Sequence, residues 1–177
     1  MSAYLRYPIE QVARSAHTRF QAGFARMASH LLPDLEDVAY ETSPQGLKIL
    51  AGDECALATP VEILRQAYGS DVEIAPVQVR LIREVTGVVK EPVMNLRVDV
   101  SPDHVQRVVE DLEQREAVLH EVDIRESATS IRAQAPLRKL LGYRETLEAL
   151  TSNSVQWSLS VSHYAPVWTG GPGGDAA

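Results

Sequence analysis

The sequence predicts an α+β fold in which one order of elements, βαββαβ, occurs twice. Three observations carry this. Val155, Trp157, Leu159 and Val161 alternate with Gln156, Ser158, Ser160 and Ser162, the period of a half-buried strand. Two segments, one running from His17 and one from Ser101, space their apolar residues at helical intervals. After each of these helices come two strand signals separated by a turn.

In the first half, Leu5, Tyr7 and Ile9 alternate with Arg6, Pro8 and Glu10, which predicts a short strand over 4–10. Pro8 cannot donate to a ladder, so this strand is expected to lie at a sheet edge or to be irregular. Phe20, Phe24, Met27, Ala28 and Leu31 then share one helical stripe, which stops before Pro33. Val38 and Tyr40 alternate with Asp37 and Glu41, Ser43-Pro44-Gln45-Gly46 reads as a turn, and 47–50 supply the returning strand. Thr59-Pro60-Val61-Glu62 offers an N-cap, a proline at the first helical position and a glutamate to close a capping box. Val61, Leu64, Ala67 and Tyr68 form that helix's inner stripe, and Gly69 ends it. Val77, Val79 and Leu81, alternating with Gln78 and Arg80, supply the last strand.

The second half repeats the order. Leu96, Val98 and Val100 alternate with Asn95, Arg97 and Asp99, and Ser101-Pro102 opens a helix with Val105, Val108, Val109 and Leu112 on one face. Val122 and Ile124 mark one strand, Ile131, Ala133 and Ala135 the next, and 126–129 the turn between them. Leu137, Leu140, Leu141, Leu147 and Leu150 follow in a helical segment before the final strand. This order predicts two ferredoxin-like sandwiches in tandem, each with two helices on one face of a four-stranded antiparallel sheet. The other face of each sheet is expected to be polar. Thr86-Gly87-Val88-Val89-Lys90 is the junction, giving units 1–86 and 91–168, and the glycine-rich end reads as a flexible tail over 169–177.

Composition bounds the function. The chain has 177 residues, 45% of them hydrophobic, and a net charge of -7, which argues against a broad grip on nucleic acid. No run of about 18 apolar residues occurs, so no membrane partner is expected. Cys55 is the single cysteine, which removes any disulfide framework and points to the cytoplasm.

Candidate chemistry is sparse. Cys55 beside Asp53 and Glu54 has no histidine near it in sequence, and His17, His30, His104 and His120 lack metal-ligand spacing. No catalytic residue, cofactor or metal site is expected. Arg97, Arg125 and Arg132 fall on the polar phase of three strands and are expected to gather on the open sheet face, as a partner or RNA face. The same phase carries Asn95, Asp99, Asp123, Gln134, Gln156 and Ser158 and no aromatic residue, which argues against base stacking there.

A set of residues carries a resemblance. Glu91-Pro92 with Met94, Asp111-Leu112 with Arg115, Ala135-Pro136-Leu137, Gly142-Tyr143 with Leu147, and Ser162-His163-Tyr164 resemble the C-terminal, fifth domain of elongation factor G. More weakly, Gly46-Leu47-Lys48-Ile49-Leu50-Ala51-Gly52, Tyr68-Gly69 and Gln78-Val79 resemble its third domain. The resemblance implies the ferredoxin-like fold for both halves and a structural role for Glu91, Pro92, Gly142, Tyr143, Ser162, His163 and Tyr164. The chain departs from the family in having no GxxxxGK[ST] loop. The GTPase, β-barrel and fourth domains are thus expected to be lacking, and GTP hydrolysis with them. Glu116-Ala117-Val118 also stands where relatives carry a basic, glycine-containing turn, which predicts weaker RNA contact. The implied role is a non-catalytic protein that binds the ribosome, through rRNA or a ribosomal protein, or a translation factor. The alternative is a protein-interaction or homo-oligomerisation module that has lost the ribosome.

Overall fold

The computed structural model of the protein describes residues 3–125 and 128–167. A helical turn, α1 (Ala3–Arg6), precedes β1 (Ile9–Ser15), α2 (Gln21–Ser29), β2 (Val38–Ser43) and β3 (Gly46–Ala51). Then come α3 (Ala58–Tyr68), β4 (Val72–Ile74), β5 (Gln78–Val79) and β6 (Ile82–Arg83). The second half holds β7 (Val89–Val100), α4 (Val105–Gln114), β8 (Val118–Ile124), β9 (Thr129–Pro136), α5 (Tyr143–Leu150) and β10 (Val155–Pro166). The first sheet is ordered β2-β3-β1-β4, with β5 also pairing β1, and the second β10-β7-β9-β8, with β6 pairing β7. Each sheet has its first and third long strands side by side at the centre, antiparallel throughout, which is the ferredoxin-like arrangement.

Several elements depart from the sequence expectation. The opening strand starts at Ile9, not at residue 4, and Leu5 and Arg6 belong to the helical turn. β1 is central, because Pro8 ends up buried just before the ladder, where its missing N–H costs no pairing. The stripe assigned to α2 divides: Phe24 and Ala28 are buried, with Ala25 beside them, while Phe20, Met27 and Leu31 stay exposed. α3 begins at Ala58, continuing a 3-10 turn at Cys55–Leu57, and the side chain that caps this run is Asp53, whose Oδ1 accepts from the Ala56 N–H at 2.9 Å. The strand placed around Val77–Val79 is only the two-residue β5; β4 occupies the fourth position instead, and Leu81 is exposed.

Within the second unit, Met94, Leu96, Val98 and Val100 of β7 and Ile131, Ala133 and Ala135 of β9 point to the helical side and are buried. They meet Val108 and Leu112 of α4 and Leu147 of α5 in a cluster that spans the core. Full burial of each such Leu, Ile or Val contributes about 1.5–3 kcal/mol. Val122 and Ile124 share this phase but stay exposed, since β8 is the edge strand and its ladder is interrupted between Leu119 and Glu121. The helical segment after Pro136 is broken: a 3-10 turn at Leu137–Lys139 is followed by Gly142, whose φ of 70° reorients the chain before α5. Gly46 is likewise required at its hairpin, because a Cβ there would lie 2.3 Å from the Ala13 carbonyl oxygen of β1. The turn expected at 126–129 and the tail at 169–177 fall wholly or partly outside the described residues.

Candidate functional site

The open face of the second sheet is built from the polar phase of its strands. Arg97 of β7 stands opposite Arg132 of β9, and Asp99 opposite Ser130, while Glu121 and Asp123 of β8 face Arg132 and Ser130. Each arginine singled out in the sequence has a carboxylate beside it. Arg97 Nε donates to Asp99 Oδ2 at 3.0 Å, Arg125 Nη2 to Asp123 Oδ2 at 2.7 Å, and Arg132 Nη1 lies 3.1 Å from Glu121 Oε2. Partial burial would raise the Asp99 carboxyl, but hydrogen bonding and the charges of Arg97 and Arg125 outweigh it and hold the group below the usual carboxylate range. The three cations thus do gather in one region, but as ion pairs of zero net charge.

The acids were visible in the sequence. Asp99 follows Arg97, and Asp123 precedes Arg125, by two residues, the spacing that puts both side chains on one face of a strand. Farther along the face, Gln134 Nε2 donates to Asn95 Oδ1 at 2.7 Å and to Ser162 Oγ at 3.3 Å. A shallow depression of about 340 Å3 opens among Asn95, Arg97, His120 and Arg132. Its His120 sits at the break in the β8 ladder.

The residues of the signature lie at the other end of the unit. Glu91 is 3% exposed and receives both of its bonds from Arg138 Nε, at 3.0 and 2.8 Å. Pro92 pairs with Tyr164, and His163 with Val93, so the end of β10 is laddered onto the start of β7. A register shift between Val161 and His163 turns Ser162 and His163 out of strict alternation, and His163 Nδ1 lies 3.1 Å from Ser162 Oγ. Among the described residues no carboxylate forms an ion pair with that imidazole, in contrast to a hydrolytic triad. Tyr143 is fully buried, and its ring is covered by the Arg115 guanidinium at 4.6 Å. Arg115 also bonds Asp111 Oδ2, the Lys139 carbonyl and Thr146 Oγ1, so one side chain ties α4 to α5. Arg115 and Arg138 are the organising residues that periodicity alone did not reveal.

Between the two halves lies a cleft of about 520 Å3, floored by Leu137, Leu140 and Trp157 and rimmed by Asp53, Glu54 and Arg144. Glu54 Oε2 accepts from the Gly142 N–H at 2.9 Å, and Arg144 Nη1 lies 2.7 Å from Cys55 Sγ. Both bonds cross from the first half to the second. Among the described residues no group of three His, Cys, Asp or Glu side chains is placed to hold a metal, and no helix is long and apolar enough to cross a membrane.

With this geometry in view, the second unit is similar to a domain of elongation factor G. Residues 88–169 match the family model described as Elongation factor G C-terminus. The chain is 34% identical over 88 residues to Ribosome-releasing factor 2, mitochondrial, of Danio rerio, a match covering 50% of this chain and 12% of that protein. It is 34% identical over 80 residues to Elongation factor G of Gluconobacter oxydans, covering 45% and 11%. It is 37% identical over 76 residues to Elongation factor G 2 of Trichodesmium erythraeum, covering 43% and 11%. The chain therefore spans only about a tenth of the length of these relatives. A crystal structure of a protein from Thermus thermophilus superposes with a TM-score of 0.64 at 15% identity, covering 92% of this chain and 41% of that one. That likeness extends over both halves and concerns the fold.

Proposed function

We propose that this is a non-catalytic, elongation factor G-like protein that works in the cytoplasm and binds the ribosome or a translation factor through two domains, 1–86 and 91–168. The observation that carries the reading is the match of residues 88–169 to the elongation factor G C-terminus, on a fold in which the signature residues form a laddered, ion-paired strand end. In this reading Glu91, Pro92, Gly142, Tyr143, Ser162, His163 and Tyr164 hold the unit's shape, and the contact with the partner is made elsewhere. The 177 residues contain no phosphate-binding GxxxxGK[ST] loop, which supports a role without nucleotide hydrolysis. Co-sedimentation with ribosomes over a salt series tests this: the protein should travel with the ribosomal pellet at low salt. Recovery in the free fraction alone would remove the ribosome from the reading.

A second reading is favoured by one observation. The Arg97, Arg125 and Arg132 face is neutralised by Asp99, Glu121 and Asp123, which suits a protein surface of mixed charge better than RNA phosphates. Here the fold serves as a protein-interaction or homo-oligomerisation module. Light scattering of the full chain together with a pull-down distinguishes the two, since a strict monomer that retains no protein partner contradicts this version.

A further inference from the structure

Phe20, Met27 and Leu31 are 71%, 68% and 50% exposed. Spaced i, i+7 and i+11, they mark one shoulder: Phe20 is the N-cap residue of α2, Met27 lies in its last turn and Leu31 in the turn that follows. The core does not need them, because Phe24, Ala25 and Ala28 fill the neighbouring face. The Phe20 ring rests against Gly23: a Cβ there would lie 2.4 Å from its Cδ1 and Cε1. Glycine thus seats the ring on the outside of the helix.

The charge along this shoulder is one-sided as far as Pro33, after which Asp34, Glu36 and Asp37 follow. Residues 11–33 contain Arg14, Arg19 and Arg26 and no Asp or Glu, in a chain whose net charge is -7. Arg19 and Arg26 are exposed and form no ion pair among the described residues. Of the acids on β4 and the turn before it, Asp71 lies 2.9 Å from His17, and Glu73 stands in register with Arg14. This is the reverse of the second sheet's open face, where Arg97, Arg125 and Arg132 are each matched by a carboxylate.

We propose that this shoulder of α2 docks an acidic amphipathic helix of a partner protein. The partner's apolar side chains cover Phe20, Met27 and Leu31, and its carboxylates meet Arg19 and Arg26. A protein is favoured over RNA because Met27 and Leu31 offer no stacking surface to a base, whereas three exposed apolar side chains on a helix and its two ends suit the apolar stripe of an amphipathic helix. The shoulder lies in the first half, outside residues 88–169, and the proposal stands apart from the ribosome reading.

Fluorescence anisotropy of the full chain with two labelled probes tests it: a synthetic helical peptide with Leu on one face and Glu on the other, and a short oligouridine. The peptide should bind saturably and the oligouridine should not. F20S/M27S and R19E/R26E, both confined to exposed positions and checked by circular dichroism, should each weaken peptide binding about tenfold or more, as loss of interface anchors does. Gly23→Ala should raise Tm through helix propensity while displacing the Phe20 ring and weakening the peptide several-fold; a merely structural role would not move the two in opposite directions. Absence of saturable peptide binding, or equal binding by all variants, overturns the proposal. So does oligouridine binding that is lost in R19E/R26E and kept in F20S/M27S.

Discussion

Arg138 places its Nε between the two carboxylate oxygens of Glu91, at 3.0 and 2.8 Å, and Glu91 has almost no other access to water. The pair joins the start of β7 to the turn after β9, at the point where β10 also ends. Removing Arg138 leaves a buried carboxylate without its counter-charge, which is the costly half of breaking such a pair. R138A should therefore destabilise the protein by about 3 kcal/mol, the low end of that range because Arg138 is itself partly exposed. E91Q/R138A should recover part of the loss. Urea unfolding of the two variants checks this, and equal losses would show that the uncompensated charge is not the cause.

Tyr143 is buried under the Arg115 guanidinium, and among the described residues its hydroxyl has no hydrogen-bond partner. Burial pushes its ionisation up, the Asp111 charge adds to this, and Arg115 opposes it. A group whose pKa is raised by folding contributes stability that is complete below the unfolded value of about 10 and lost as pH rises through the folded value, because above pH 10 the unfolded chain gives up its proton first. The protein should thus lose stability above pH 10. Y143F should lose less over the same window, and at pH 7 it should be as stable as the parent or more so, since it removes an unpartnered buried hydroxyl. Thermal melts at pH 7, 10 and 11 provide the comparison.

The central strands of the second half were legible because each has one face against helices and the other open, so Leu96, Val98 and Val100 alternate cleanly, whereas Val122 and Ile124 of the edge strand β8 stay exposed. The first half was harder to read for the same reason in reverse. β3 is buried on both faces, at Leu47, Ile49, Leu50 and Ala51, and α2 carries apolar residues that never enter the core. Backbone sign is also invisible to periodicity. Glu116 sits at φ 62° and is held by Lys139, a left-handed position that no apolar pattern announces. The open face was legible in its arginines and in Asp99 and Asp123 on the same phase, but not in their pairing, and Glu121 reaches Arg132 only across the strands, which periodicity does not show.

Gly142 links the two halves through its N–H, which meets Glu54 Oε2 at 2.9 Å, and does so from the left-handed region at φ 70°. A Cβ at this position would touch nothing within 4 Å, so substitution is penalised by backbone strain alone. Ala should cost about 1–2 kcal/mol and Asn less, the order set by tolerance of the left-handed region. G142A should also loosen the Glu54 bond, speeding exchange of that amide with solvent deuterium. A variant in which exchange is unchanged while stability falls would separate the strain from the contact between halves.

The pairing of Arg97 with Asp99, Arg125 with Asp123 and Arg132 with Glu121 fixes how the open sheet face should behave toward RNA. Each phosphate neutralised by a free cation releases counterions, and the logarithm of the binding constant falls with the logarithm of salt by about 0.7–0.9 per phosphate. A cation already held by a carboxylate releases none, so the parent protein should show a slope near zero for a single-stranded RNA such as poly(U). The D99N/E121Q/D123N variant leaves the three arginines uncompensated, and its slope should steepen to about -2 to -3. Filter binding from 50 to 200 mM salt measures both. A steep slope in the parent would mean that the ion pairs open to admit phosphate, and an unchanged slope in the variant would mean that RNA does not reach this face at all.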